Sequence, residues 1–425
     1  MNSETYSKYT NILRRELIPA TGCTEPIALA WAAALGRELL GGLPEAADVY
    51  ASGSIIKNVK SVVVPGTDGM KGIEAAIAAG LIAGDAAGVL EVLAHVGPQA
   101  RADIAAYLQR GCIRVHLADT EESFDVLLAL QGGGHTARVR IAGHHTNVVL
   151  RERDGQVLEE HLTTLEHLRQ HDSGDAFMSI AEIYEYAGSC ALADVEEVIQ
   201  RQIDCNTALS DAGLTGSWGA QIGRLLMAHS TAEDVLMHAK ARAAAGSDAR
   251  MSGCELPAVI NSGSGNQGLT ITLPIVEYAR ALGVERERLI RALVLANLSS
   301  IRIKKEIGCL SAYCGAVCAG CAAGAGVAYL HGADRSLVEH TIVNGLAILS
   351  GTICDGAKPS CAAKIAMAVE AGIMGYEMAA GGHEFFGGDG IIKKGIENTI
   401  AQIGTLGRDG MLETNRVVLN IMLGE

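Results

Sequence analysis

The sequence predicts an α+β protein in which a smaller α+β domain is inserted into a mainly helical one. Three observations lead there. The 425 residues are too many for one small core, which points to about two or three domains. Residues 45–168 carry β-branched runs joined by Gly-rich or Asp-Gly turns. From about residue 174 to 425, Ala-rich periodic segments alternate with Gly-rich breaks and contain few β-branched runs.

Residues 4–18 read as a helix that stops at Pro19. A second, Ala-rich helix opens at "ATGCTEPIALA", with Pro26 in its first turn, and runs to about Leu40. Cys23 therefore falls in the turn before a helix, at its positive end. The dipole and free N–H groups there favour a thiolate, whereas the plainer reading is a capping-turn thiol. Residues 1–44 are expected to pack together on the helical domain.

In the α+β domain, "DVYASGSIIKNVKSVVVPGT" reads as one or two strands and "GMKGIEAAIAAGLIAGDA" as a helix. "IRVHLADT", "FDVLLALQGGGHTARVRIAG" and "HTNVVLRERDGQVLEEH" read as further strands. His144 and His145, with His135 nearby, could bind metal, but adjacent residues on a strand point to opposite faces and neighbouring acidic or thiol ligands are missing, so they are read as solvated loop residues. Beyond the polar "RQHDSGDA", glycine loops such as "INSGSGNQGLT", "LSGTICDGAKPSC" and "AGGHEFFGGDG" interrupt the helices and are the places to look for ligands.

Composition excludes several functions. Hydrophobic residues make up 49% but aromatics only 4%, and there are 51 glycines, so the core must be built from small and aliphatic side chains. A net charge of −14 argues against nucleic acid and anionic membrane surfaces. "SAYCGAVCAGCAAGAGVAYL", residues 311–330, has the length of a membrane span. Its Ala, Gly, Ser and Cys suit a helix enclosed in a bundle better, so no membrane segment is expected. The start of the chain lacks the pattern of a secretory signal, and 11 cysteines are an odd number for a disulfide scaffold. Reduced thiols and a cytoplasmic location are expected. The Gly- and Ala-rich surfaces are compatible with a homodimer.

Cys314, Cys318 and Cys321 share one helix face, and Cys354 and Cys361 bracket a Gly, Lys and Pro turn. Such a turn lets two thiolates converge on a third from the helix, a soft donor set suited to iron–sulfur chemistry. Packed core thiols would give the same spacing. In "INSGSGNQGLT", the density of Gly, Ser and Asn suits a turn that presents N–H, amide and hydroxyl donors to an anion, although neither a Walker pattern nor a dinucleotide fingerprint is present.

Taken together, "PATGCTEPIALA", "GSDARMSGCELPAVINSGSGNQGLT", "CGAVCAGCAAGAG", "GTICDGAKPSCAAKIA" and "GGDGIIKKGIENTIAQIG" resemble the L-cysteine desulfidase family, which is similar to the α-chain of iron–sulfur L-serine dehydratases. The resemblance covers nearly the whole chain. It implies a [4Fe-4S] cluster held by Cys314, Cys354 and Cys361, Cys23 as catalytic base, and a substrate-binding loop of Ser262, Gly263, Ser264, Asn266 and Gln267. It further implies that the helical domain is the catalytic one and that the substrate is a small amino acid. Two departures from the dehydratases, the close spacing of Cys354 and Cys361 and an ending in "NIMLGE" rather than a cysteine, favour L-cysteine over L-serine. The implied reaction is a pyridoxal-phosphate-independent elimination of sulfide giving pyruvate and ammonia. A serine dehydratase on the same cluster and a non-catalytic iron or thiol-rich binding protein are the alternatives. Cys309, Cys318 and Cys321 are assigned to packing, and Lys358 and Arg250 are left without a role.

Overall fold

Helix α1 (Ser3–Glu16) is capped by Asn2, whose side chain accepts from the Thr5 N–H, and buries one stripe containing Tyr9, Ile12 and Leu13. A short strand β1 (Pro19–Thr21) separates it from α2 (Thr24–Leu40), which is buried on nearly every side. A helix apolar all round must be enclosed, and α2 lies between a β-sheet and α4 (Gly72–Ala83). At Gly80 the approach is so close that a Cβ would stand 2.1 Å from the Ala30 carbonyl oxygen. Residues 1–44 therefore do not pack as one unit on the helical domain. The chain divides at β1, with α1 in the helical core and α2 in the α+β core. The computed structural model describes residues 1–161 and 177–424, and the expected domain boundaries at 168 and 174 lie outside the described residues.

The sheet has the order β3-β2-β4-β5-β6-β7, built from β2 (Ala46–Ala51), β3 (Ile113–Leu117), β4 (Asp125–Gly132), β5 (His135–Ala142), β6 (Val148–Arg153) and β7 (Gln156–Glu160). Among the described residues only β2 and β3 pair in parallel. Their crossover carries α3 (Gly53–Val59), α4 and α5 (Pro98–Gln109), the last of which the sequence reading did not foresee. Gly133 and Gly134, with φ of 60° and 80°, supply the tight turn between β4 and β5. The expected strand over residues 48–67 is strand only as far as Ala51. Ser52 accepts from the Ile55 N–H and starts α3, which turns Lys57 and Asn58 inward.

The helical part comprises α6 (Ile180–Ser189), α7 (Leu192–Thr215), α8 (Ile222–Ala228), α9 (Val235–Met251), α10 (Gly265–Leu282), α11 (Arg286–Ile307), α12 (Gly315–Leu330), α13 (Arg335–Ile348), α14 (Cys361–Ala380), α15 (Ile396–Thr405) and α16 (Leu412–Leu423). Helix α12 is the buried centre. It runs alongside α14 with the backbones nearly touching, since a Cβ on Gly320 would lie 2.2 Å from the Ala368 oxygen and one on Gly324 2.1 Å from the Gly372 oxygen. Strand β8 (Pro257–Val259) pairs antiparallel with β1, which brings the start of α2 beside the segment leading into α10. Among the described residues no helix is long and apolar enough to cross a membrane. The α+β class expected from the sequence is the class observed.

Candidate active site

Helices α2, α10, α12 and α14 all begin at one cavity between the two cores, with a volume of about 120 Å³. Each helix start carries unpaired N–H groups and the positive end of a dipole, so their convergence favours an anionic occupant. The cavity wall contains Cys23, the loop residues Ser262, Gly263, Ser264, Asn266 and Gln267, and the thiols of Cys314, Cys354 and Cys361. The structure thus brings every sequence-derived site residue to the same place.

The thiol wall is set by the backbone. Cys314 N–H donates to the Thr352 oxygen at 3.1 Å and Cys354 N–H to the Ala312 oxygen at 2.6 Å, an antiparallel bridge that lays the two cysteines side by side. Cys314 is the N-cap of α12 and lies outside the helix, where the sequence reading had placed it inside an apolar rod. Cys361 opens α14, and its thiol faces the Gly356 oxygen at 3.7 Å across a turn that needs φ of 91° at Gly356. The Cys314 thiol donates to Cys354 and holds it below the ordinary thiol range. Burial opposes this, while Lys57, the Gly356 N–H and Lys304 assist. Cys314 is correspondingly raised, first by that hydrogen bond and then by burial. Lys57 is 1% exposed and donates to the Cys354 oxygen at 3.4 Å and to Asn415 Oδ1 of α16 at 2.6 Å. Among the described residues no three His, Cys, Asp or Glu side chains are grouped to hold one metal ion. A four-iron cluster makes no such demand, because each thiolate binds a different iron. The donor set of three half-buried cysteine thiols, with Lys57, Lys304 and Lys364 nearby to offset negative charge, fits that group.

Elsewhere in the cavity lining, Cys23 Sγ donates to Glu25 Oε2 at 2.9 Å. Burial and then the Glu25 charge push the Cys23 thiol well above its ordinary range, with Arg250 pulling the other way. The low pKa expected from the helix dipole is therefore overturned, since at 4% exposure desolvation outweighs the dipole. Burial would raise Glu25 as well, but His145, the Cys23 thiol, backbone N–H and Asn58 hold it below the usual carboxylate range. Thr24 Oγ1 donates to the Gly263 oxygen at 2.6 Å and so ties the start of α2 to the loop. Ser262 adopts φ of 49° and Gly263 φ of 76°, after which Gly265 starts α10. Asn266 and Gln267 thus sit in a helical first turn, where the sequence reading had them in a turn. Ser262 Oγ donates to Asn261 Oδ1, and Gln267 packs against Gly315, next to Cys314.

Sequence reasoning missed several wall residues. His145 is 8% exposed, stacked edge-on to Phe124 and packed against Gly263, which corrects the solvated-loop reading. Burial lowers its pKa, opposed by Glu25. Cys309, assigned to packing, also lines the cavity, whereas Cys318 and Cys321 are buried in α12 as expected. Asn58 Oδ1, His145 Nε2, Gln267 Oε1 and Arg250 Nε and Nη2 are buried polar atoms without partners among the described residues, and their residues all line this cavity. Such a concentration marks a place built for a polar ligand. Gln267 is assigned to the substrate loop from the sequence; among the residues not assigned, the one sequence signal is the presence of Arg250 in the motif leading to the glycine loop.

Comparison with known proteins agrees with this geometry. The sequence model described as serine dehydratase alpha chain matches residues 135–420, from β5 to the C-terminal helix. The chain belongs to the serine dehydratase alpha chain family. It is 50% identical to a UPF0597 protein of Desulfitobacterium hafniense, with 99% of this chain and 97% of the relative covered. UPF0597 proteins of Finegoldia magna and Treponema denticola are 47% and 42% identical, covering 98% and 100% of this chain and 99% of each relative. This membership bears out the dehydratase resemblance and places the chain among lyases of the dehydratase type. In this serine dehydratase family member the matched span includes the glycine loop and the thiols of Cys314, Cys354 and Cys361, and begins N-terminal to His145.

Proposed function

We propose that the protein is an iron–sulfur lyase that removes sulfide from L-cysteine, giving pyruvate and ammonia. The observation that carries this reading is that three thiols, the hydrogen-bonded Cys23–Glu25 pair and the Ser262–Gln267 loop line one cavity. Cys314, Cys354 and Cys361 would hold a [4Fe-4S] cluster, which supplies Lewis acidity at an iron without a protein ligand.

The protein residues account for the remaining steps. Asn266, Gln267 and the hydroxyls of Ser262 and Ser264 orient the amino acid. Cys23 loses its proton to Glu25 along the existing hydrogen bond, and the thiolate takes the Cα proton; its buried setting makes it a strong base once formed. The Cα–H electron pair becomes the Cα=Cβ bond, and the Cβ–S pair departs with sulfide. The aminoacrylate product tautomerises and is hydrolysed to pyruvate and ammonia. Leu310, Ala316, Ala357 and Ile365 border the thiol wall and suit a soft sulfur leaving group better than a hydroxyl, which would require a partner.

L-Serine is the second reading, favoured by the family's name. Anaerobic assay of L-cysteine and L-serine for sulfide, pyruvate and ammonia separates the two. The proposal expects sulfide with stoichiometric pyruvate and a higher kcat/KM for L-cysteine. Pyruvate from L-serine alone supports the second reading, and no product from either overturns both.

A further inference from the structure

Arg250 is 2% exposed and lines the cavity, yet it makes no ion pair among the described residues. Its Nη1 donates to Asn266 Oδ1 at 3.1 Å, and this bond fixes the plane of the guanidinium. Gly265 holds the other flank, where a Cβ would stand 2.4 Å from Nε. What remains is the Nε and Nη2 edge, buried and without a partner. Those two N–H groups point the same way and match the two oxygens of a carboxylate in a side-on, bidentate pair. A buried cation left unpaired is strongly destabilising, so its retention calls for an anion that arrives with the substrate.

Resting on the lyase reading above, we propose that Arg250 is the carboxylate clamp of the site and restricts its substrates to small α-amino acids with a free carboxylate. The surroundings fit this role. Arg250 is close enough to Cys23 and His145 to influence both electrostatically. A carboxylate held on its free edge therefore places Cα near Cys23, while Gln267 leads on to Gly315 and the thiol wall, where the β-substituent belongs. The start of α10, beside the guanidinium, adds favourable backbone N–H groups and dipole. Amides, esters and peptides extended at the carboxyl end would leave the edge unpaired and be rejected.

The test uses L-alanine, which has the backbone of either candidate substrate but no leaving group, and L-alaninamide, which lacks the carboxylate charge. Binding is measured by calorimetry on the anaerobically purified holoenzyme. L-Alanine should bind the wild type and L-alaninamide at least about 30-fold more weakly, the loss that follows from leaving one member of a buried charge pair alone. Arg250→Gln should abolish the difference between the two probes. Arg250→Lys keeps the charge without the fork and should recover only part of it. The wild-type comparison needs no substitution, so the inference stays testable even if a variant misfolds. Equal binding of both probes by the wild type, or undiminished L-alanine binding by Arg250→Gln, overturns the clamp and leaves the lyase reading intact. Discrimination by the wild type without turnover of L-cysteine or L-serine would sustain the clamp and overturn the lyase.

Discussion

Cys23 Sγ donates to Glu25 Oε2 at 2.9 Å, while the other Glu25 oxygen accepts from Asn58 Nδ2 at 3.0 Å. The carboxyl is held below its usual range and the thiol above its own, the arrangement from which a single proton transfer would create the proposed base.

Replacing Glu25 by Gln removes both the negative charge that raises the Cys23 pKa and the acceptor of its proton. The pKa of Cys23 should fall, so its alkylation by iodoacetamide near pH 8 becomes faster. Turnover at neutral pH should nevertheless drop by about 10²-fold or more, with little change in KM. Slower alkylation together with unchanged turnover would rule out this coupling.

Gly263 has φ of 76°, and a Cβ there would lie 2.9 Å from His145 Cε1. Gly263→Ala should therefore strain the loop by roughly 1–3 kcal/mol. It should also displace His145 from the cavity, which a raised KM in steady-state kinetics would register. A variant with wild-type KM and thermal midpoint would show that the loop has room to move.

One close helix contact predicts an opposite pair of outcomes from one chemical change. Gly324→Ala places a methyl 2.1 Å from the Gly372 oxygen and should lower stability by about 1–3 kcal/mol in denaturant titration. Gly188, near the end of α6 and exposed, meets nothing within 4 Å, so Gly188→Ala should be neutral or stabilise by up to ~1 kcal/mol.

How much of this was readable beforehand depends on what each residue requires of the chain. The strands from Ile113 onward follow local β-branched runs and turn signals, and helices such as α2 and α12 follow uninterrupted Ala-rich stretches, all of which the sequence carries directly. The three thiols and the glycine loop were legible because long motifs in a fixed order resemble a known family. The segment after Ala51 was misread because β-branched residues dominate it, and only the Ser52 cap and the inward turn of Lys57 reveal a helix. His145 was invisible because its burial depends on Gly263, more than a hundred residues away. The titration of Cys23 was wrongly anticipated for a related reason, since a helix start is a local feature while desolvation comes from the packing of two domains.

Asp248 offers a pH-dependent test away from the thiols. It is fully buried, and burial pushes its carboxyl up to about 6 despite hydrogen bonds from the Gly223 and Ile222 N–H groups. The unfolded chain titrates near ~3.9. Between these values the folded chain binds more protons, so stability falls as pH rises through that window and the loss is complete above about 6. Asp248→Asn should thus be more stable than wild type at pH 7, by roughly 1–3 kcal/mol, and lose that advantage near pH 4. An advantage that does not change with pH would contradict the assignment.

The measurement that bears most directly on the whole account is iron and acid-labile sulfide content of anaerobically purified protein, determined for wild type, Cys354→Ala and Cys318→Ala. The account predicts about four irons and four sulfides per chain in the wild type. It also predicts their loss in Cys354→Ala and their retention in Cys318→Ala, whose thiol lies in the α12 core. A wild-type protein that holds no iron, or a Cys354→Ala variant that keeps its full complement, would contradict it.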